Sequence, residues 1–258
     1  MGDLNIHEAA ARGFARGAAE YEAGRPSYAA GAVHLVVREL SIGPGSTAVD
    51  VGAGTGKFTR LLVPTGARVI GVEPVAEMRE VFSRVLPDVE VMGGTAESLP
   101  FDDASIDVVT AAQTFHWVDA VPAVAEVARV LRSGGRRGGL VLLWNQRDLS
   151  VPWPAQIKAL MDRVAGDAPR YGTAAGGGWQ KAVADHGGFG PVQEATFRHE
   201  HPMTPATVRD RVSSTSYVSA LPDAEREAVL QEVDAIVAPL GESFAEPYVT
   251  EVFWCRRV

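Results

Sequence analysis

The sequence is short of cysteine, of long apolar runs and of positive charge. Its single cysteine, Cys255, excludes an intrachain disulfide and any metal site built on several thiolates. No stretch approaches the roughly 18 consecutive apolar residues of a membrane span, so no segment is expected to cross a bilayer. The opening residues MGDLNIHEAAARGF hold no apolar core of signal-peptide length. These absences make a cytoplasmic protein the expectation. Lys and Arg number 24 against 32 Asp and Glu, a net charge of −8. Such a surface field repels a phosphate backbone, so nucleic acid is not an expected partner. The six histidines are scattered. His199 and His201 alternate on an expected strand, but no third ligand stands at a recognisable spacing, and no metal is expected.

What is present is globular. Hydrophobic residues make up 46% and charged residues 22% of 258. That suits one large α/β domain with insertions, or two small domains. From Thr47 to Asn145 short apolar runs alternate with helical spacing. The runs are Thr47–Val51, Arg68–Glu73, Val89–Met92, Ile106–Thr110 and Gly139–Trp144. Between them Phe58, Leu61 and Leu62, then Met78, Val81, Phe82 and Val85, then Val124, Val127, Ala128 and Leu131 recur with the period of a helix. Continuous apolar strands separated by amphipathic helices predict a parallel, doubly wound sheet. Beyond Arg147 helices are expected over Trp153–Val164, after the Thr204-Pro205 start and around Leu230, Val233 and Val237. Strands are expected over Val192–His199 and Tyr248–Cys255. The glycine-rich stretch 166–190 reads as a mobile insertion.

The densest motif is Val49-Asp50-Val51-Gly52-Ala53-Gly54-Thr55-Gly56, between an expected strand and an expected helix. Glycines there allow a sharp turn and a close ligand approach. A dinucleotide fingerprint needs glycine at position 57, which is lysine. A phosphate-binding P-loop needs glycine at 51 and Ser or Thr at 58, which are Val51 and Phe58. Both fail, leaving an ordinary tight turn or another nucleoside-binding loop. Glu73 ends the second apolar run. An acid at that strand end faces the crevice and accepts both ribose hydroxyls; as a surface residue before Pro74 it would only cap a helix.

In this order the segments VDVGAGTG, GVEPVAEM, GGTAESLPFDDASIDVV and EVARVLRSGG resemble the class I S-adenosylmethionine-dependent methyltransferases of the ubiquinone/menaquinone-methyltransferase-like group. AEYEAGRPSY, FHW and WNQRD extend the likeness over most of the chain. The resemblance implies a Rossmann-like α/β sheet, mostly parallel with an antiparallel C-terminal strand. It places Gly52, Gly54 and Gly56 under the methionine and ribose portions of S-adenosylmethionine, Glu73 on the ribose diol and Met78 beside adenine. Asp50, Ala53, Pro74 and Gln113 count with them as cofactor-binding. The adenine-covering segment Gly94-Thr95-Ala96-Glu97 carries Thr95 where the family often has aspartate, so the contact passes to Glu97 or the Ala96 backbone.

The resemblance also implies three regions. Residues 1–40 form a helical lid with Tyr21 and Arg25 near the cofactor, 41–147 the cofactor-binding core, and 148–258 the rest of the sheet with helical insertions on the acceptor side. His116, in the loop after the fourth strand, is read either as a general base or as a structural histidine, and Phe115 and Trp117 as packing or as a substrate platform. The expected activity is methyl transfer to a small-molecule acceptor, leaving S-adenosylhomocysteine, by a monomer or homodimer. The alternatives are a relative that uses the pocket for binding or cyclisation, and a nicotinamide-dependent oxidoreductase, against which Lys57 speaks.

Overall fold

The computed structural model describes residues 26–134, 138–166 and 178–258, with Ser216 described by its backbone alone. Seven strands form one sheet: β1 Thr47–Val51, β2 Arg68–Val72, β3 Glu90–Met92, β4 Val108–Ala112, β5 Gly139–Arg147, β6 Gln193–Met203 and β7 Phe244–Arg256. Their order is β3-β2-β1-β4-β5-β7-β6. β1 to β5 pair in parallel. β7 runs the other way: the Arg257 N–H, just past its end, donates to the Gly138 carbonyl, just before β5 begins, at 2.7 Å. This is the mostly parallel sheet with one antiparallel C-terminal strand that the resemblance implied. Strand order reverses between β1 and β4, so their carboxyl ends open the crevice where ligands of such sheets bind.

The described residues fall into two compact units. The first comprises residues 26–134, 138–145, 178–197 and 250–258. Alternation along β1 sends Val49 and Val51 to one face and Ala48 to the other. On the first face α4 (Ala120–Val130) buries Ala123, Val124, Val127 and Ala128, and Asp119 caps it by accepting the Val121 N–H at 3.2 Å. On the second face α1 (Ala30–Glu39) buries Ala32, Val33 and Val36. α2 (Thr59–Leu62) and α3 (Ala76–Val85) complete the crossovers. Helical spacing from Lys57 to Val63 materialises only as the four residues of α2, and Pro64 lies in the 3₁₀ turn that follows.

The glycine-rich stretch holds a core element where an insertion was expected. α6 (Trp179–His186) lies between Gly178 and Gly187, both in the left-handed region. It buries Trp179, which stacks on Trp144 at 5.8 Å and meets Phe253 edge-on at 5.1 Å. An aromatic triple of this kind contributes more to a core than the surrounding glycines suggest.

The second unit comprises residues 146–166 and 198–249. It packs α5 (Pro152–Ala165), α7 (Pro205–Ser213), α8 (Ser216–Ser219) and α9 (Asp223–Val237) around Ile157, Leu160, Val208, Val212 and Val233. α7 begins as its sequence predicts. The Thr204 hydroxyl accepts the Thr207 N–H at 3.2 Å, the Thr207 hydroxyl accepts the Thr204 N–H at 2.8 Å, and proline opens the helix. Among the described residues no helix is long and apolar enough to cross a membrane.

Candidate active site

The loop between β1 and α2 is tied to the end of β2. The N–H groups of Gly52 and Ala53 donate to the Val72 carbonyl at 2.8 and 3.1 Å. The Gly54 N–H donates to Oε2 of Glu73 at 2.9 Å, and the Val75 N–H donates to Oε1 at the same distance. The glycine loop and the acid predicted from its strand-end position are therefore brought into direct contact. Burial raises the Glu73 carboxyl above its usual range, opposed by those two N–H groups and by the Arg79 charge. Arg79 donates at 2.7 Å to the carbonyls of both Glu73 and Pro74, which holds the turn into α3.

Two glycines are required for different reasons. Gly56 has φ +86°, and a Cβ there would come within 2.6 Å of the Leu86 side chain and 3.0 Å of Phe82, so it is needed for packing. Gly54 has φ +55°, and a Cβ there would meet no heavy atom within 4 Å. The space in front of Gly54 is open, as a loop that receives a ligand requires.

Asp50 lies beneath the loop, fully buried. Each of its oxygens accepts a threonine hydroxyl proton, from Thr59 at 2.6 Å and Thr110 at 2.8 Å. Desolvation outweighs these bonds and pushes its pKa up to about 6. Asp50 thus joins β1, β4 and the start of α2. Met78 is buried beside Val81, with Val75 packed on the pair. In the adenine-covering segment Thr95 bridges to Ser98, Ala96 is part of the core, and Oε1 of Glu97 accepts the Asp119 N–H at 3.0 Å.

After β4, Gln113 takes φ +57°, uncommon for a residue with a side chain. Its amide donates to the Asn145 carbonyl at 2.8 Å, while its own N–H donates to the Leu143 carbonyl. Asn145 in turn donates to the Ser27 carbonyl at 2.9 Å and accepts the Thr250 hydroxyl at 2.6 Å. Phe115 is core; Trp117 is partly exposed and lies against the His116 ring. His116 accepts, at Nδ1, the indole N–H of Trp144 at 3.2 Å. A neutral imidazole with an accepting Nδ1 carries its proton on Nε2. Tyr21 and Arg25 lie outside the described residues. Thr59, Thr110, Trp144 and Asn145 belong to the framework of this site, and none of them was among the site residues expected from the sequence.

A methyltransferase domain model matches residues 49–137, the segment that carries this loop and both acids. An uncharacterized methyltransferase of Mycobacterium tuberculosis is 37% identical over 235 residues, covering 89% of each chain. The chain belongs to the class I S-adenosylmethionine-dependent methyltransferases. Solved structures of similar fold include the YcgJ protein of Bacillus subtilis, at 21% identity and TM-score 0.58 over 88% of this chain and 98% of that one. A geranyl diphosphate methyltransferase in complex with S-adenosylmethionine has 20% identity and TM-score 0.50, over 89% of this chain and 85% of that one.

Proposed function

We propose that the chain holds S-adenosylmethionine against the 52–56 loop and Glu73 and passes its methyl group to a small-molecule acceptor. The observation that carries this reading is the bond from the Gly54 N–H to Glu73. It presents an acid and an open glycine turn side by side at the switch point of the sheet. A ribose diol needs two acceptor positions together. A carboxylate offers about four lone-pair directions, and backbone donors use two of those on Glu73. The open space before Gly54 fits the close approach of such a ligand. Met78 and the Ala96 backbone are the candidate adenine contacts, while Asp50 acts through the loop it anchors.

When bound, the cofactor supplies a methyl group already activated on a positively charged sulfur. The protein's part is alignment and exclusion of water. With Nδ1 engaged by Trp144, His116 is read as a positioning donor through Nε2 rather than as a base. A base would need the nitrogen that the indole occupies.

The test is calorimetric titration with S-adenosylhomocysteine and, separately, NAD, followed by incubation of small-molecule acceptors with methyl-labelled cofactor. Binding of S-adenosylhomocysteine but not NAD, with label appearing in an acceptor, is the expected result. NAD binding alone would replace the reading with a nicotinamide enzyme. Cofactor binding with no labelled product from any acceptor class would favour a binding or cyclising relative.

A further inference from the structure

The second unit contains a polar cluster that the methyl-transfer reading does not use. Glu246 is 2% exposed, and both of its oxygens are occupied. Oε1 accepts from Nε of Arg147 at 2.7 Å. Oε2 accepts from Nη1 of Arg211 and, at 3.0 Å, from the hydroxyl of Tyr248. Nη1 of Arg211 also donates to the Tyr248 hydroxyl at 2.6 Å. Two guanidinium groups thus share one carboxylate, and the three side chains together carry a charge of +1. Burial raises the Tyr248 phenol, so that group stays neutral. The nearby acid Asp148 is committed elsewhere, to the Ser150 hydroxyl at 2.6 Å and to Arg198 at 3.0 Å.

The two arginines differ in what they have left. Arg211 is only 15% accessible, and its second terminal nitrogen reaches the Met203 sulfur at 3.6 Å. Arg147 spends only Nε on Glu246. Among the described residues neither of its Nη nitrogens makes a hydrogen bond, although 30% of the side chain is accessible. Desolvation acts on this guanidinium more than any other influence, and the Glu246 carboxylate at 2.7 Å keeps it charged. A charged, desolvated and reachable pair of N–H donors in a planar fork matches the geometry of a carboxylate. A lysine-type point charge would not impose that planarity.

We propose that the second unit binds the carboxylate of a small organic acid on the Nη edge of Arg147, with Arg211, Glu246 and Tyr248 as the frame that holds the fork in place. The inference goes beyond methyl transfer and does not depend on it, since no cofactor enters.

The test uses the full-length protein without cofactor. Citrate is titrated calorimetrically at fixed ionic strength, with inorganic phosphate in a parallel arm. Citrate is expected to bind more tightly than phosphate, and Arg147→Gln to weaken citrate at least tenfold. That variant leaves Glu246 on Arg211 and Tyr248, and an unchanged melting temperature would show the frame intact. Independently of any variant, citrate should protect Arg147 of the wild-type chain from phenylglyoxal, read by peptide mass spectrometry. Absence of both binding and protection would overturn the proposal. Equal citrate affinity in a folded Arg147→Gln protein would overturn it as well. Tighter phosphate than citrate binding would overturn the carboxylate assignment.

Discussion

Trp144 donates its indole N–H to Nδ1 of His116, and the donor belongs to a fully buried ring. An indole has one donor and no acceptor, so this bond is its means of satisfaction inside the core. His116→Ala should therefore destabilise the protein by about 1–3 kcal/mol, the cost of leaving a buried donor unmet. In a Trp144→Phe background the same change should cost clearly less. Urea unfolding of the four proteins gives the coupling directly, and additive losses would mean the bond contributes nothing. If His116 serves as a positioning donor, turnover of folded His116→Ala should fall by less than the roughly 10²–10⁴-fold expected for loss of a general base.

Glu73 is expected to dominate cofactor affinity. Glu73→Ala removes the proposed ribose acceptor and should weaken S-adenosylhomocysteine by about 1.5–3 kcal/mol, the scale of hydrogen bonds to a charged group. The variant also frees the Gly54 and Val75 N–H groups, so its melting temperature must be measured beside the titration. Unchanged affinity in a folded variant would remove Glu73 from the site.

The glycines of the loop should separate stability from binding. In Gly56→Ala the new methyl group meets Leu86 and Phe82 at a positive φ, and a loss of about 1–3 kcal/mol in stability is expected. Gly54→Ala meets open space and carries only the backbone penalty of about 1 kcal/mol. Its larger effect should be on cofactor affinity, because the methyl group enters the ligand's volume. Thermal melts with and without S-adenosylhomocysteine distinguish the two patterns, and similar behaviour of both variants would contradict this division.

Asp50 predicts a pH dependence of defined sign. Its pKa is raised from 3.8 to about 6 in the folded protein. The folded state then holds a proton that the unfolded chain releases, so stability falls as pH rises through this window. Asp50→Asn, which cannot ionise, should show a flatter profile. The stability difference between wild type and variant should shift against the wild type between pH 4 and pH 7, by up to about 3 kcal/mol for a shift of this size. Urea titrations at several pH values would measure it, and parallel profiles would mean Asp50 titrates normally.

The sheet and the Gly54–Glu73 pair were legible because both are local patterns. Apolar runs report strands buried on two faces, and an acid ending such a run reports a strand end. Other features were not local. Thr59 and Thr110 look like ordinary helix and strand residues until the fold brings their hydroxyls to Asp50. Trp179 stands directly after three glycines, and composition outweighed the helical spacing of Trp179, Ala182 and Val183. Arg147 and Glu246 are 99 positions apart, so no spacing rule links them. The fourth apolar run was placed at Ile106–Thr110, two residues early, because Ile106 is buried but bridges to Leu131 rather than opening the strand.

The sheet order puts β7 between β5 and β6, so this strand occupies an interior place although it lies beyond both in sequence. Without it β5 would expose a free edge, and the Asn145 side chain would lack the hydroxyl of Thr250 that joins it. Ala29 waits on the same hydroxyl, which accepts its N–H at 3.1 Å. A chain in which β7 has not paired is open to edge-to-edge pairing with other chains. Removal of β7 would therefore open the sheet between β5 and β6 rather than trim an edge.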